Sequence, residues 1–123
     1  MTIDTNIIVA YLNGDQQVIE TLSEWRNERR PLFLSTVVEA EVLSFPNLTS
    51  RERYLAEEFL EENFTSIPVD RAVARLAANI RQTTKIKFPD AAIAATALFT
   101  HSPLVTRNVK DFKKVKELQY ITI

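Results

Sequence analysis

Four acidic positions sit in surroundings that make a carboxylate expensive unless it has work to do. Asp4 closes a short apolar run and is followed by Thr5, Asn6 and then Ile7, Ile8 and Val9. An Asp between apolar runs is costly to bury without a neutralising partner, although it also suits a helix N-cap. Glu41 comes one turn after Val37 and Val38 and directly before Val42, a spacing that turns its carboxylate toward the sheet rather than toward water. Asp90 follows Phe88-Pro89 and precedes the small, apolar stretch Ala91–Leu98. A helix dipole favours an acid there, and a helix of small residues packs close and holds its first turn firmly. The last candidate stretch is Thr106-Arg107-Asn108-Val109-Lys110-Asp111-Phe112, directly after the apolar run Pro103–Val105. Asn108 and Asp111 each offer an oxygen to a metal at that point.

The rest of the composition narrows the chemistry. There are no cysteines and one histidine, His101, which excludes thiolate zinc sites, cysteine nucleophiles and any acid–base pair made of two imidazoles. His101 lies at a helix end, where it is favourable without a catalytic role. A single glycine, Gly14, excludes a Gly-rich phosphate loop. Asp4-Thr5-Asn6 lacks the second Asp of a haloacid-dehalogenase-type phosphatase. Hydrolytic chemistry therefore falls to carboxylates. Hard oxygen donors select Mg²⁺ or Mn²⁺ over zinc, and carboxylates crowded together are stable only with cations between them. The expected site is Asp4, Glu41 and Asp90, completed by Asp111 or Asn108, with Thr5, Asn6 and Thr106 orienting the carboxylates. With 15 Lys+Arg against 16 Asp+Glu the formal net charge is −1, so the chain does not coat nucleic acid by charge alone. Lys85, Lys87, Arg107, Lys110, Lys113 and Lys114 nevertheless flank the third and fourth acidic positions and are expected to track phosphates.

Positioning these groups requires strands and helices in alternation. Strand-like runs fall at Met1–Asp4, Pro31–Ser35, Thr65–Val69, Pro103–Thr106 and Leu118–Ile123, each too short for a helix. Helical periodicity covers Asn6–Leu12, ended by Asn13-Gly14, and Asp15–Asn27. Thr36 with Glu39 predicts a capping box for a helix through Leu43, and Thr49 with Glu52 predicts another. Asp70 is the expected cap of the next helix, and Pro89 suits the first turn of the one after it. Trp25, Tyr54, Phe59 and Phe64 are expected as core or dimer contacts. This order predicts a parallel sheet of five strands covered on both faces, with the ligand site beyond the carboxyl ends of the strands. All four acidic positions then share one rim. At 123 residues a single domain is expected. No apolar run approaches the roughly 18–20 residues of a membrane span, and Met1-Thr2-Ile3-Asp4 does not open a signal peptide, so a cytoplasmic location is the expectation.

With those positions in hand, the sequence resembles the PIN-domain ribonucleases, specifically the VapC-type toxins of toxin–antitoxin pairs, across essentially its whole length. Asp4-Thr5-Asn6 matches the opening motif, Ser35–Leu43 with Glu41 the second, Phe88–Ala97 with Asp90 the third, and Thr106–Phe112 the fourth. The resemblance implies an α/β fold, a PIN-like three-layer α/β/α sandwich spanning 1–123, with strand order 3-2-1-4-5. It further implies Mg²⁺- or Mn²⁺-dependent endoribonuclease activity on RNA, a cognate antitoxin that inserts into the active-site groove, and a homodimer. Many relatives carry an acid two residues after the motif's Thr, where this chain has Asn108, so the fourth acid is either missing or supplied by Asp111. The other reading is a catalytically silent PIN-like module that binds RNA or a protein.

Overall fold

β1 (Thr2–Ile3) lies at the middle of a fully parallel five-stranded sheet and is followed by α1 (Thr5–Leu12) and α2 (Gln16–Asn27). Next come β2 (Phe33–Ser35), α3 (Thr36–Leu43), α4 (Ser50–Asn63), β3 (Thr65–Ile67), α5 (Arg71–Thr83) and α6 (Phe88–Phe99). β4 (Leu104–Val105), α7 (Val109–Phe112) and β5 (Tyr120–Ile121) complete the chain. The computed structural model describes all of residues 1–123. The strand order is β3-β2-β1-β4-β5, with Thr2 opposite Leu104 and Ile3 opposite Val105. The five parallel strands are those the alternation predicts, and their order is the one the family resemblance implies. No helix is long and apolar enough to cross a membrane.

The strands are shorter than the apolar runs, and at two of them the strand end is also a helix start. The Asp4 amide still donates to Val105 O at 3.0 Å, yet Asp4 is already the N-cap of α1. Ser35 does the same for α3, its hydroxyl accepting from the Val37 amide at 3.2 Å. The capping box expected at Thr36 and Glu39 therefore does not form. Thr36 is one residue inside the helix, and its hydroxyl accepts from the Val69 amide at 3.4 Å instead. The box at Thr49 and Glu52 does form, with both arms at 3.1 Å, and Asp70 caps α5. Gly14 ends α1 at a φ of 84°, and His101 ends α6 at a φ of 51°, the left-handed turn that stops a helix. The fourth motif contains the short helix α7.

The core runs along both faces of the sheet through Ile3, Leu34, Leu104 and Val105, with Ile7, Ile8, Val38, Val42 and Phe112 packed on it. α6 is buried along its whole middle, Ala91 to Ala97, and packs against α5. Small side chains permit that close approach, and the one hydroxyl there, on Thr96, donates to Ala92 O at 2.9 Å. Phe59 stacks on Tyr11 and meets Phe64 edge-on, and Trp25 is half-buried against the core. Tyr54, by contrast, is 62% exposed and belongs to the surface.

Two substitutions test this packing. Ala94→Leu forces extra volume against a fully buried helix and should cost about 2 kcal/mol, whereas Thr49→Ala removes only a cap and should cost about 1 kcal/mol. Urea denaturation followed by far-UV circular dichroism measures both.

Candidate active site

Asp4 is only 4% exposed, and neutral donors surround it. Its Oδ1 accepts from the Thr5 amide at 2.8 Å, while its Oδ2 accepts from the Thr106 hydroxyl at 2.7 Å and the Asn6 side-chain amide at 3.0 Å. Each donor is itself oriented. The Thr106 oxygen accepts from the Asn108 amide at 2.9 Å, which leaves its proton for Asp4. The Asn6 carbonyl accepts from the Arg107 amide at 3.1 Å, which turns the NH₂ end toward the carboxylate. Burial pushes the Asp4 carboxyl above its usual range, and the Glu41 charge adds to this against the pull of the three hydrogen bonds.

Glu41 reaches the same rim from α3. At the first turn of α1 its Oε1 accepts from the Thr5 hydroxyl at 2.6 Å. Thr5 thus holds Asp4 with its backbone and Glu41 with its side chain. Asp90 stands half-buried in the first turn of α6. Burial first, then the charges of Asp4, Asp111 and Glu41, push its carboxyl up to about 6, with Lys87 opposing. That mutual influence brings all four acidic positions into one field. Asp111 is on α7, its Oδ2 accepting from the Asn108 side-chain amide at 3.1 Å, with Lys114 Nζ 3.6 Å from its Oδ1. Asn108 therefore serves as a donor to Asp111, which carries the fourth charge.

The ion pairs of the protein join Arg30 to Glu28, Arg53 to Glu57, Arg107 to Asp15 and Lys114 to Asp111. None reaches Asp4, Glu41 or Asp90. No three acidic groups close to direct ligand spacing. An all-oxygen donor set whose charges go unneutralised fits a hard dication that keeps part of its water shell.

Among the basic residues, Lys85, Lys87, Lys110 and Lys113 are exposed and outside these ion pairs. Arg107 is engaged: its Nη2 meets Asp15 Oδ2 at 2.9 Å and its Nε donates to Ile123 O at 2.7 Å. Its hydrogen bond, with that of the Val18 amide, holds the Asp15 carboxyl below its usual range. In the sequence Asp15 marks only the start of a helix. No local signal joins two residues this far apart in the chain.

The raised Asp90 carboxyl has a stability consequence with a definite sign. A folded-state value near 6 against an ordinary 3.8 means that ionised Asp90 opposes folding above pH 6, and that the penalty fades as the pH falls toward 4. Asp90→Asn should therefore stabilise the metal-free protein at pH 7.5 by about 1 kcal/mol, the full shift being reduced because the group is half exposed to solvent. The gain should vanish near pH 4, as measured by urea melts in EDTA across that range.

Comparison with known proteins agrees with this geometry. The family model described as PIN domain matches residues 1–118. Ribonuclease VapC of Rickettsia bellii is 29% identical, and Ribonuclease VapC1 of Rickettsia felis 30% identical, each alignment covering 100% of this chain and 96% of the relative. A toxin–antitoxin complex from Klebsiella pneumoniae contains a chain 28% identical, with a TM-score of 0.76 over 99% of this chain and 98% of that one. VapBC2 from Rickettsia felis, bound to a DNA fragment from its promoter, has a TM-score of 0.85 at 19% identity, covering 99% and 97% of the two chains; that likeness is one of fold alone. With acids from three different elements gathered on the rim of a 3-2-1-4-5 sheet and the family match running from β1 through α7, the chain belongs to the PIN-domain family.

Proposed function

We propose that this chain is an endoribonuclease that uses Mg²⁺ or Mn²⁺ to hydrolyse RNA phosphodiester bonds, and that it is the toxin of a toxin–antitoxin pair. The observation that carries the reading is that Asp4, Glu41 and Asp90 arrive from α1, α3 and α6 at one rim with no cationic side chain paired to any of them. The relatives named as VapC ribonucleases support the activity, and the toxin–antitoxin complex among the solved structures supports the pairing.

Asp4, Glu41, Asp90 and Asp111 would hold the ion, directly or through its waters. When bound, such an ion supplies a more acidic water and stabilises negative charge building on the phosphoryl oxygens. Thr5, Asn6 and Thr106 keep the Asp4 and Glu41 carboxylates aimed, and Asn108 does so for Asp111. Lys85, Lys87, Lys110 and Lys113 flank Asp90 and Asp111 in the chain, are exposed, and would hold the flanking phosphates, offsetting repulsion between RNA and the carboxylates. An open groove of about 530 Å³ runs between the end of α1 and the α3–α4 connection, lined by Leu12, Phe45, Leu48 and Leu55. Its apolar floor suits the apolar face of an antitoxin segment. Homodimerisation and a cytoplasmic location complete the proposal.

Purified protein incubated with total bacterial RNA and Mn²⁺ should generate discrete new 5′ ends, read by sequencing. EDTA should abolish them, and Asp4→Asn or Glu41→Gln should reduce cleavage at least about a hundredfold. Mn²⁺ should raise the melting temperature of the wild type and leave that of Asp4→Asn nearly unmoved. Wild-type protein that binds RNA and cleaves none would instead make the chain a non-catalytic binding module. Exchanging Lys85, Lys87, Lys110 and Lys113 for Gln should flatten the salt dependence of RNA binding, measured by fluorescence anisotropy, while Mn²⁺ affinity is retained.

A further inference from the structure

Two basic residues near the site are already paired: Lys114 meets the site acid Asp111, whereas Arg107 is committed to a partner outside the site. Its guanidinium bridges Asp15, at the start of α2, and the main-chain oxygen of Ile123, beyond β5. These contacts are 2.9 and 2.7 Å long. Its own backbone N–H meanwhile donates to the Asn6 carbonyl at 3.1 Å. The amide group of Asn6 has two ends of similar shape and opposite polarity, and only one of them serves a carboxylate. With the carbonyl end held by the Arg107 N–H, the NH₂ end must face Asp4. Directly before Arg107, Thr106 presents its hydroxyl to Asp4; directly after it, Asn108 directs that hydroxyl and the Asp111 carboxylate. The segment 106–108 therefore carries four of the contacts that orient two of the four acids, and it follows a strand only two residues long, Leu104–Val105.

We propose that the Asp15–Arg107 pair is a positioning brace: it clamps segment 106–108 between α2 and the end of β5, so that Asn6 and Thr106 hold Asp4 ready for the divalent ion. Arg107 acts through these neighbours and does not bind RNA phosphate. This rests on the nuclease reading for its purpose and not for its geometry. The bridge is a two-point contact from one planar fork, a task that a lysine point charge cannot reproduce.

Asp15→Asn is the sharpest probe. Asparagine caps a helix about as well as aspartate, so the capping contact to the Val18 amide can persist while the charge facing Arg107 is gone. Arg107→Lys is the complementary variant. A phosphate-binding Arg107 and a bracing Arg107 lead to opposite results. If Arg107 braces, both variants should weaken Mn²⁺ binding about tenfold by calorimetry. Both should lower kcat more than they raise KM for RNA cleavage, and the double variant should be no worse than either single one. RNA affinity in EDTA and its salt slope should stay within about twofold for each. In the metal-free protein, hydrogen exchange of the Asn6 side-chain amide, followed by NMR, should speed up about tenfold. If Arg107 instead binds phosphate, Asp15→Asn frees it and tightens RNA binding, Arg107→Lys reduces the salt slope, and Mn²⁺ affinity is untouched; that result overturns the brace. Wild type that takes up no Mn²⁺ removes the nuclease reading, and Asn6 exchange then decides the brace alone: unchanged exchange in both variants sinks it, accelerated exchange upholds it.

Discussion

The structure turns on one ionisable group taken almost wholly out of water at the carboxyl end of its central strand. Asp4 continues the sheet hydrogen bonding just after β1 and is the N-cap of α1, so its position is fixed by the backbone before any side chain acts. Burying a carboxylate there is unfavourable, and a second and third carboxylate facing it make it more so. Three donors offset part of the penalty for Asp4, one offsets part of it for Glu41, and Asp90 retains enough of it to hold a proton up to a pH of about 6. The remainder of the fold supplies the stability that allows this strain to exist. That is the role of the uninterrupted buried face of α6 and of Phe112, which is fully buried immediately beside Asp111.

Much of this was legible in the sequence wherever the signal was local. The alternation of short apolar runs with amphipathic stretches predicted the parallel sheet, because period and length are read within a few residues. Thr49, Asp70 and Pro89 predicted their helix starts for the same reason, a cap being a contact over three positions. The acidic positions stood out because each broke an apolar context. Errors arose where two local rules competed. Ser35 and Thr36 are both good caps, and the sheet decided between them by ending β2 at Ser35. Strand ends were overrun because an apolar run records burial, not pairing, and the residue that leaves a strand to start a helix is buried as well.

What could not be read locally was direction. The valines beside Glu41 mark a buried-side position, but they do not reveal that its carboxylate meets the Thr5 hydroxyl at the start of α1. Nor could Asp15 be joined to Arg107, because that pairing depends on α2 returning past the end of β4, a property of the assembled sheet. Asn108 and Asp111, alternatives in the sequence for a single role, turn out to cooperate: the amide of one orients the charge of the other.

The chemistry of the supporting contacts carries a further constraint. Lysine or arginine would relieve the crowded carboxylates more strongly than hydroxyls and amides do, since a hydrogen bond to an ionised donor is roughly twice as strong as one between neutral groups. But a fixed ammonium beside Asp4 would occupy the potential well that a dication needs. Hydroxyls and amides orient a carboxylate without cancelling its charge. The distribution of cations follows this division. Lys114 touches Asp111 only at 3.6 Å, the paired guanidinium of Arg107 faces Asp15, and Asp4, Glu41 and Asp90 keep their charge. A site built this way must be rigid by other means, because neutral hydrogen bonds are individually weak. Placing the two-point Arg107 contact one step outward, where it holds the backbone that presents those weak donors, adds rigidity and leaves the field at the centre intact.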